Sequence, residues 1–159
     1  MQLLLFRHGI AEAHGPDGSD TTRRLTDEGV RKTHQAAAGL SQFVEPPDVI
    51  YTSPLTRAQQ TAQILGEVYG IVPQIVEVLA YGPAKAVIEA LSDEDHQRVM
   101  LVGHEPTFSE IVERVCTASH AAGFVRMKKA GCACVEMIDG DIAQLLWLAT
   151  PKMLRAAAK

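Results

Sequence analysis

The chain has 159 residues, 47% of them apolar, which is enough for one domain to bury a self-supporting core, so a single domain over residues 1–159 is expected. Fifteen Lys and Arg stand against 19 Asp and Glu, a formal net charge of -4, which excludes the global positive field that drives binding to nucleic acid or an anionic membrane and leaves only a local anion site. The three cysteines, Cys116, Cys132 and Cys134, are an odd number without a CxxC pair, which argues against a disulfide framework and against a zinc site.

Met1 leads straight into the apolar run 2–6, with no basic region and too little length for a signal segment or a membrane span, so a cytoplasmic location is expected. Residues 2–6 read as a buried strand. Residues 12–20, rich in Gly, Pro and Asp, read as a surface loop. A helix is predicted over 27–44, with Thr26 as N-cap, Asp27 and Glu28 complementing its dipole, and Val30, Ala37, Leu40 and Phe43 facing inward. A second strand follows at 49–51. Leu55, Ala58, Ala62, Leu65 and Tyr69 then step by three and four, placing one apolar stripe against a sheet. The stepping recurs at Ala84, Val87, Ile88 and Leu91, and at Phe108, Ile111, Val112 and Val115, on either side of a strand at 99–102. Strands at 132–138 and 142–148 flank Asp139-Gly140-Asp141, a triplet suited to an antiparallel hairpin, with Cys132 and Cys134 on one face as small buried thiols. The fold class predicted is α/β: a three-layer α/β/α sandwich with a mostly parallel sheet and a C-terminal antiparallel hairpin.

Three short segments follow three of these strands: Arg7-His8-Gly9, Ser53-Pro54-Leu55-Thr56-Arg57 and Gly103-His104-Glu105-Pro106. In an open parallel sheet the carboxyl ends of the strands share an edge, and ligands bind in the crevice outside it. Two arginines and two histidines would meet there, a set of donors suited to a doubly charged phosphoryl group whose oxygens arginine forks match. Ser53 suits an N-cap, and Pro54 and Pro106 suit first helical turns, whose free N–H groups would add to the anion site.

Arg7-His8-Gly9 resembles the signature of the histidine phosphatase superfamily. Arg57, within Ser-Pro-Leu-Thr-Arg-Ala-Gln-Gln-Thr-Ala, resembles its second arginine, and His104 its second histidine. Arg23-Arg24-Leu25-Thr26-Asp27-Glu28-Gly29, Val102-Gly103-His104-Glu105-Pro106, Lys128-Lys129-Ala130-Gly131 and Leu148-Ala149-Thr150-Pro151-Lys152 are similar to the SixA-type branch, the compact phosphohistidine phosphatases. The resemblance implies a phosphatase without cofactor or metal, in which a ring nitrogen of His8 attacks phosphorus and water then hydrolyses the phosphohistidine. It implies catalytic roles for His8, Arg7, Arg57 and His104, and phosphate contacts from Arg7, Arg57, His104, Gly9 and Arg23. Arg24 stands where a proline is frequent, and Lys128 and Lys129 match a pattern whose chemistry the residues alone do not give. Attack needs a neutral imidazole, and Arg7 and Arg57 nearby would disfavour its protonation. No HExxH or carboxylate cluster at ligand spacing points to a metal.

Larger phosphoglycerate mutase-like members supply a carboxylic acid to the leaving group from an insertion, for which residues 78–95 leave little room. Glu12, Asp20, Glu77 and Glu105 are the unranked candidates. A phosphohistidine substrate needs an acid least, because imidazole departs more readily than an alkoxide. The expected partner is therefore a phosphorylated protein, such as a His-phosphorylated signalling domain, with a small phosphorylated metabolite such as a sugar phosphate as the alternative. A phosphate-recognising module without turnover is a further alternative. Neither nucleic acid nor membrane is an expected partner. His14, His34, His96 and His120 read as structural or surface residues.

Overall fold

The computed structural model describes residues 1–91, 95–116, 123, 125–139 and 141–158, with backbone alone at 115, 116 and 141–143. Gly140, His120 and the side chains of Val115, Cys116 and Ile142 therefore lie outside the described residues. In chain order the elements are β1 (Gln2–Arg7), α1 (Asp27–Leu40), β2 (Val49–Thr52), α2 (Thr56–Tyr69), β3 (Gln74–Ile75), α3 (Val78–Tyr81), α4 (Ala84–Glu89), β4 (Arg98–Gly103), α5 (Thr107–Cys116), β5 (Cys132–Ile138), β6 (Asp141–Ala149) and α6 (Pro151–Ala157). The strands form one sheet in the order β3-β2-β4-β1-β5-β6. The first four are mutually parallel, and the β5–β6 hairpin adds antiparallel to β1.

The two central strands explain the continuous apolar runs. Leu3 to Phe6 of β1 and Val99 to Val102 of β4 are at most 1% exposed, because both faces of the sheet are covered. Full burial of each such side chain contributes about 1.5–3 kcal/mol. Alternation along the strands divides the core. Leu4, Phe6, Met100, Val102, Cys132 and Cys134 pack toward α1, α2 and α6. Leu3, Leu5, Val99, Leu101, Ala133 and Val135 pack toward α3, α4 and α5. This is the expected sandwich, with both thiols on one face.

Helix α1 starts as predicted, the Thr26 hydroxyl accepting the Gly29 N–H at 3.0 Å. It stops at Leu40, short of the expected residue 44. The Ser41 hydroxyl donates back to the Ala38 carbonyl at 2.9 Å, and the Gln42 and Phe43 amides bond three residues back, tightening the chain into 3₁₀-type turns. Phe43 is thereby turned off the apolar stripe. It is 54% exposed and meets Trp147 edge-on, with ring centroids 5.7 Å apart, rather than facing inward. Elements β3, α3 and α6 have no counterpart among those predicted from sequence. The first two are too short to show a period. Helix α6 carried a signal in Thr150-Pro151: the Thr150 hydroxyl caps the Met153 N–H at 3.3 Å and Pro151 opens the first turn. It lies so close to α1 that a Cβ on Gly39 would stand 1.7 Å from the Leu154 carbonyl oxygen.

The parallel register levels the strand ends. Arg7 pairs with Gly103 and Thr52 with Val102, and the pattern runs one residue further, His8 N–H to the Gly103 carbonyl at 3.1 Å and Ser53 N–H to the Val102 carbonyl at 3.0 Å. His8, Ser53 and His104 thus leave the sheet side by side.

Candidate active site

His8 is buried, 5% exposed, at the end of β1. Its Nδ1 lies 2.7 Å from the Gly9 carbonyl oxygen. A carbonyl can only accept, so Nδ1 carries the ring proton and Nε2 keeps its lone pair. Gly9 was expected to contact phosphate. Instead its N–H donates to the Thr61 hydroxyl at 3.0 Å, and that hydroxyl donates to the Arg57 carbonyl at 2.8 Å. With its one donor engaged, Gly9 orients His8. The glycine is required by close approach to α1, because a Cβ there would fall 2.3 Å from Thr33 Oγ1.

The His104 ring lies beside His8, with centroids 5.0 Å apart and planes inclined at 51°. Its Nε2 is 2.9 Å from the hydroxyl oxygen of the fully buried Ser53. That oxygen also accepts the Leu55 N–H at 3.2 Å, which leaves it one lone pair and one proton with which to meet Nε2. Where Ser53 donates to Nε2, the single proton of neutral His104 sits on Nδ1; where Nε2–H donates to Ser53, Nδ1 is the bare acceptor. That nitrogen is buried without a hydrogen-bond partner among the described residues. Ser53 is not the N-cap expected: Leu55 occupies that position of α2, and Pro54 lies outside the helix. Pro106 likewise precedes α5. Several amides around these helix starts are already engaged. Leu55 N–H is engaged as above, Thr56 N–H donates to the Thr21 carbonyl at 3.1 Å, and Ser109 N–H donates to Glu105 Oε2 at 3.2 Å.

Both imidazoles are held neutral. Burial pushes His8 down to about 3, with His104 and then the two arginines adding to the effect and the Gly9 carbonyl opposing it. His104 is lowered to about 4, again by burial first and Arg57 second. The arginines act in the expected direction, but desolvation is the larger cause. The Nε atoms of Arg7 and Arg57 are also buried and unpartnered among the described residues. Two N–H donors are thus unmatched beside the imidazoles, and Nδ1–H of His104 is a third in the tautomer whose Nε2 accepts from the Ser53 hydroxyl, an arrangement that a tetrahedral oxyanion would satisfy.

Arg7 is anchored by the segment before β5, donating from Nη1 to the Met127 carbonyl at 2.6 Å. The Ala130 N–H reaches the Arg7 and His8 carbonyls at 3.0 and 3.2 Å, and the Arg7 N–H donates to Gly131 at 3.0 Å. The Lys-Lys-Ala-Gly stretch is therefore the clamp that fixes the end of β1. Sequence reasoning left Lys129 unassigned. The structure puts it within electrostatic reach of Arg7, Arg23 and Arg57, its ammonium pushed down by burial and then by those three cations.

Arg57, 6% exposed, donates from Nη1 to the Asp20 carbonyl at 2.7 Å, and its Nη2 lies 3.0 Å from Asp20 Oδ2. Asp20 Oδ1 holds Arg23 Nη1 at 2.7 Å, while Arg23 Nε donates to the Glu12 carbonyl at 2.6 Å. Arg23 thus stands at the rim, tied to Arg57 through Asp20. Among the four carboxylates considered as acids, Asp20 alone bonds to Arg57 among the described residues. Arg23 first, then Arg57, holds it below the usual carboxylate range against opposing desolvation. Glu105 accepts the Met127 N–H at 3.0 Å as well as the Ser109 N–H, which ties it to structure.

Residues 3–80 match the family model of the histidine phosphatase superfamily (branch 1). An uncharacterized protein of Picosynechococcus sp. is 36% identical over 139 residues, covering 82% of each chain. The phosphohistidine phosphatase SixA of Escherichia coli is 26% identical over 164 residues, covering 99% of this chain and 98% of that one. The solved structure of the protein histidine phosphatase SixA complexed with tungstate superposes with a TM-score of 0.81 at 26% identity, covering 97% of this chain and 99% of that chain.

Proposed function

We propose that this chain, which belongs to the histidine phosphatase superfamily and is a phosphatase, is of the SixA type and hydrolyses phosphohistidine in a protein through a covalent intermediate on Nε2 of His8. The observation that carries the reading is the state of His8, whose proton is held on Nδ1 by the Gly9 carbonyl while burial keeps the ring neutral. Nε2 is left as a lone-pair nucleophile at neutral pH.

In the first step the Nε2 lone pair forms a bond to phosphorus as the P–N bond of the substrate breaks. The departing imidazole, protonated on its other nitrogen, leaves as a neutral ring and needs no acid from the site. His8 becomes a cation carrying phosphate on Nε2 and a proton on Nδ1, and the Gly9 carbonyl stabilises that proton. Arg7, Arg57 and His104 Nδ1–H hold the equatorial oxygens, supplying the positive charge that phosphoryl transfer requires. Water then attacks phosphorus, the N–P bond breaks back onto Nε2 to restore the neutral ring, and both protons of the water leave on the phosphate as dihydrogen phosphate. Asp20, held as a carboxylate, does not suit protonation of an alkoxide, which weighs against sugar phosphates. Tungstate in the SixA relative is a tetrahedral oxyanion of the kind this donor set would take.

The test compares turnover of a phosphohistidine protein, a phosphoserine peptide and a sugar phosphate, with His8→Ala as control. Preference for the P–N bond together with an acid-labile phosphoryl label lost in His8→Ala supports the reading. Absence of the label means a module that binds phosphate without turnover.

A further inference from the structure

Two open grooves meet at Arg7, and they differ in charge. One, of about 480 Å³, runs toward α5 and is lined by Glu105, Glu110 and Glu113 as well as Arg7 and Arg126. The other, of about 610 Å³, runs toward α1 and α6 and is lined by six cations, Arg7, Lys32, Arg126, Lys128, Lys129 and Arg155, with no acidic residue among the described residues of its wall. These cations come from four parts of the chain, in a protein whose net charge is -4. Of the six, Lys32 alone has an ion-pair partner among the described residues, Glu28 at 2.7 Å. Arg126 and Lys128 are exposed. A positive field concentrated on one side of the phosphate site costs stability by self-repulsion and draws anions toward it.

We propose that this groove is a docking surface for an acidic segment of the phosphorylated protein, whose carboxylates beside the phosphorylated residue lie against Arg126, Lys128 and Arg155. The proposal rests on the reading that the substrate is a phosphohistidine protein. A small metabolite would be enclosed, with most of its surface buried against largely apolar walls. Here the groove is wide, open and charged, which suits a polypeptide held by several screened contacts that set orientation and encounter rate. The acidic wall of the other groove repels the same segment, so the substrate has one direction in which to lie.

The experiment uses two phosphohistidine peptides of equal length, one with glutamates flanking the histidine and one with glutamines. At low salt the glutamate peptide should show kcat/KM roughly tenfold higher, the scale of three exposed charge pairs, with the difference in KM. At about 0.5 M salt the preference should shrink toward unity. The triple variant Arg126→Gln/Lys128→Gln/Arg155→Gln should lose it too, while turning over phosphoramidate as the wild type does. Equal kcat/KM for both peptides overturns the proposal, as does a sugar bisphosphate favoured over both. Binding of the unphosphorylated peptides, measured by calorimetry, separates the two readings. A chain that prefers the glutamate peptide without turning over phosphohistidine retains the groove and loses the substrate, and the reverse result does the opposite.

Discussion

The carboxylate of Asp20 lies against the guanidinium of Arg57, Oδ2 3.0 Å from Nη2, while the Asp20 carbonyl accepts Nη1 of the same fork at 2.7 Å. Two oxygens of a surface loop thus occupy the two-pronged face with which an arginine grips phosphate. An oxyanion gripped through Nη1 and Nη2 has to displace that carboxylate or share the fork with it, and one held at Nε lies beside its charge. Replacing Asp20 by Asn or Ala removes the competing charge, so vanadate and inorganic phosphate should inhibit about tenfold more tightly, in line with one lost like-charge contact at a partly exposed site. Inhibition constants measured across the wild type and both variants check this. Weaker inhibition in Asp20→Ala would mean that the loop carboxylate orients Arg57 rather than competes for it.

The two buried imidazoles set a pH dependence. His8 and His104, lowered to about 3 and about 4, should titrate together well below the ordinary histidine value of about 6.5, as one coupled pair. Ring-nitrogen NMR should show both neutral at pH 6, with protons on Nδ1 in each. In the unfolded chain both take up protons near pH 6.5 and in the folded chain only near 3–4, so their contribution to stability is complete above 6.5 and is lost as pH falls from there toward 3. The unfolding free energy should decline with a slope approaching about 1.4 kcal/mol per pH unit for each histidine within that window. A ring inflection near 6.5 at either residue contradicts this account.

Ser53 should matter beyond its size. Its hydroxyl accepts from Leu55 and is bonded to His104 Nε2, so Ser53→Ala strands a buried N–H and removes the bond that holds the His104 tautomer. The expected loss in kcat is about 10- to 100-fold. NMR of the ring nitrogens should show the His104 proton divided between Nδ1 and Nε2. Ser53→Thr, which keeps the hydroxyl, should recover the tautomer even where the added methyl costs stability. Wild-type turnover with an unchanged tautomer in Ser53→Ala would reduce the residue to packing.

This bond also shows where the sequence stops being informative. His8, Arg57 and His104 could be placed together because each follows an apolar run, and strand ends in a parallel sheet share an edge. The hydrogen bonds between them depend on register. Ser53 reaches His104 across 51 positions because β2 and β4 pair Thr52 with Val102, and no local pattern encodes that offset. A cap was the local reading of Ser53, and the hydroxyl does accept a nearby N–H, but the helix starts three residues on. Lys129 was equally opaque, since its nearness to Arg7, Arg23 and Arg57 comes from the Ala130 turn, whose φ of +57° is rare for alanine. Desolvation is invisible in the sequence for the same reason, because burial belongs to the assembled sheet edge and not to any one segment.

The approach of β1 to α1 supplies the final test. Gly9 has no left-handed requirement, so alanine there is conformationally acceptable and the obstacle is space: the new Cβ would stand 2.3 Å from Thr33 Oγ1 and 3.2 Å from Leu25 Cδ2. Leucine can rotate aside, whereas Thr33 inside its helix is confined to two χ1 positions and would have to leave the one it occupies. Gly9→Ala should therefore cost about 1–3 kcal/mol as an overpacked site. It should also lower kcat, because any shift of residue 9 moves the carbonyl that holds the His8 proton and the N–H that bonds Thr61. Thr33 Oγ1 is itself buried without a hydrogen-bond partner among the described residues, so deleting it forfeits no such bond. The double variant Gly9→Ala/Thr33→Ala should then be more stable than Gly9→Ala alone and regain most of its turnover, as thermal melts and phosphoramidate hydrolysis would measure. If Thr33→Ala instead adds its own cost to that of Gly9→Ala, the clash is not the source of the defect and the requirement for glycine lies in the backbone around His8.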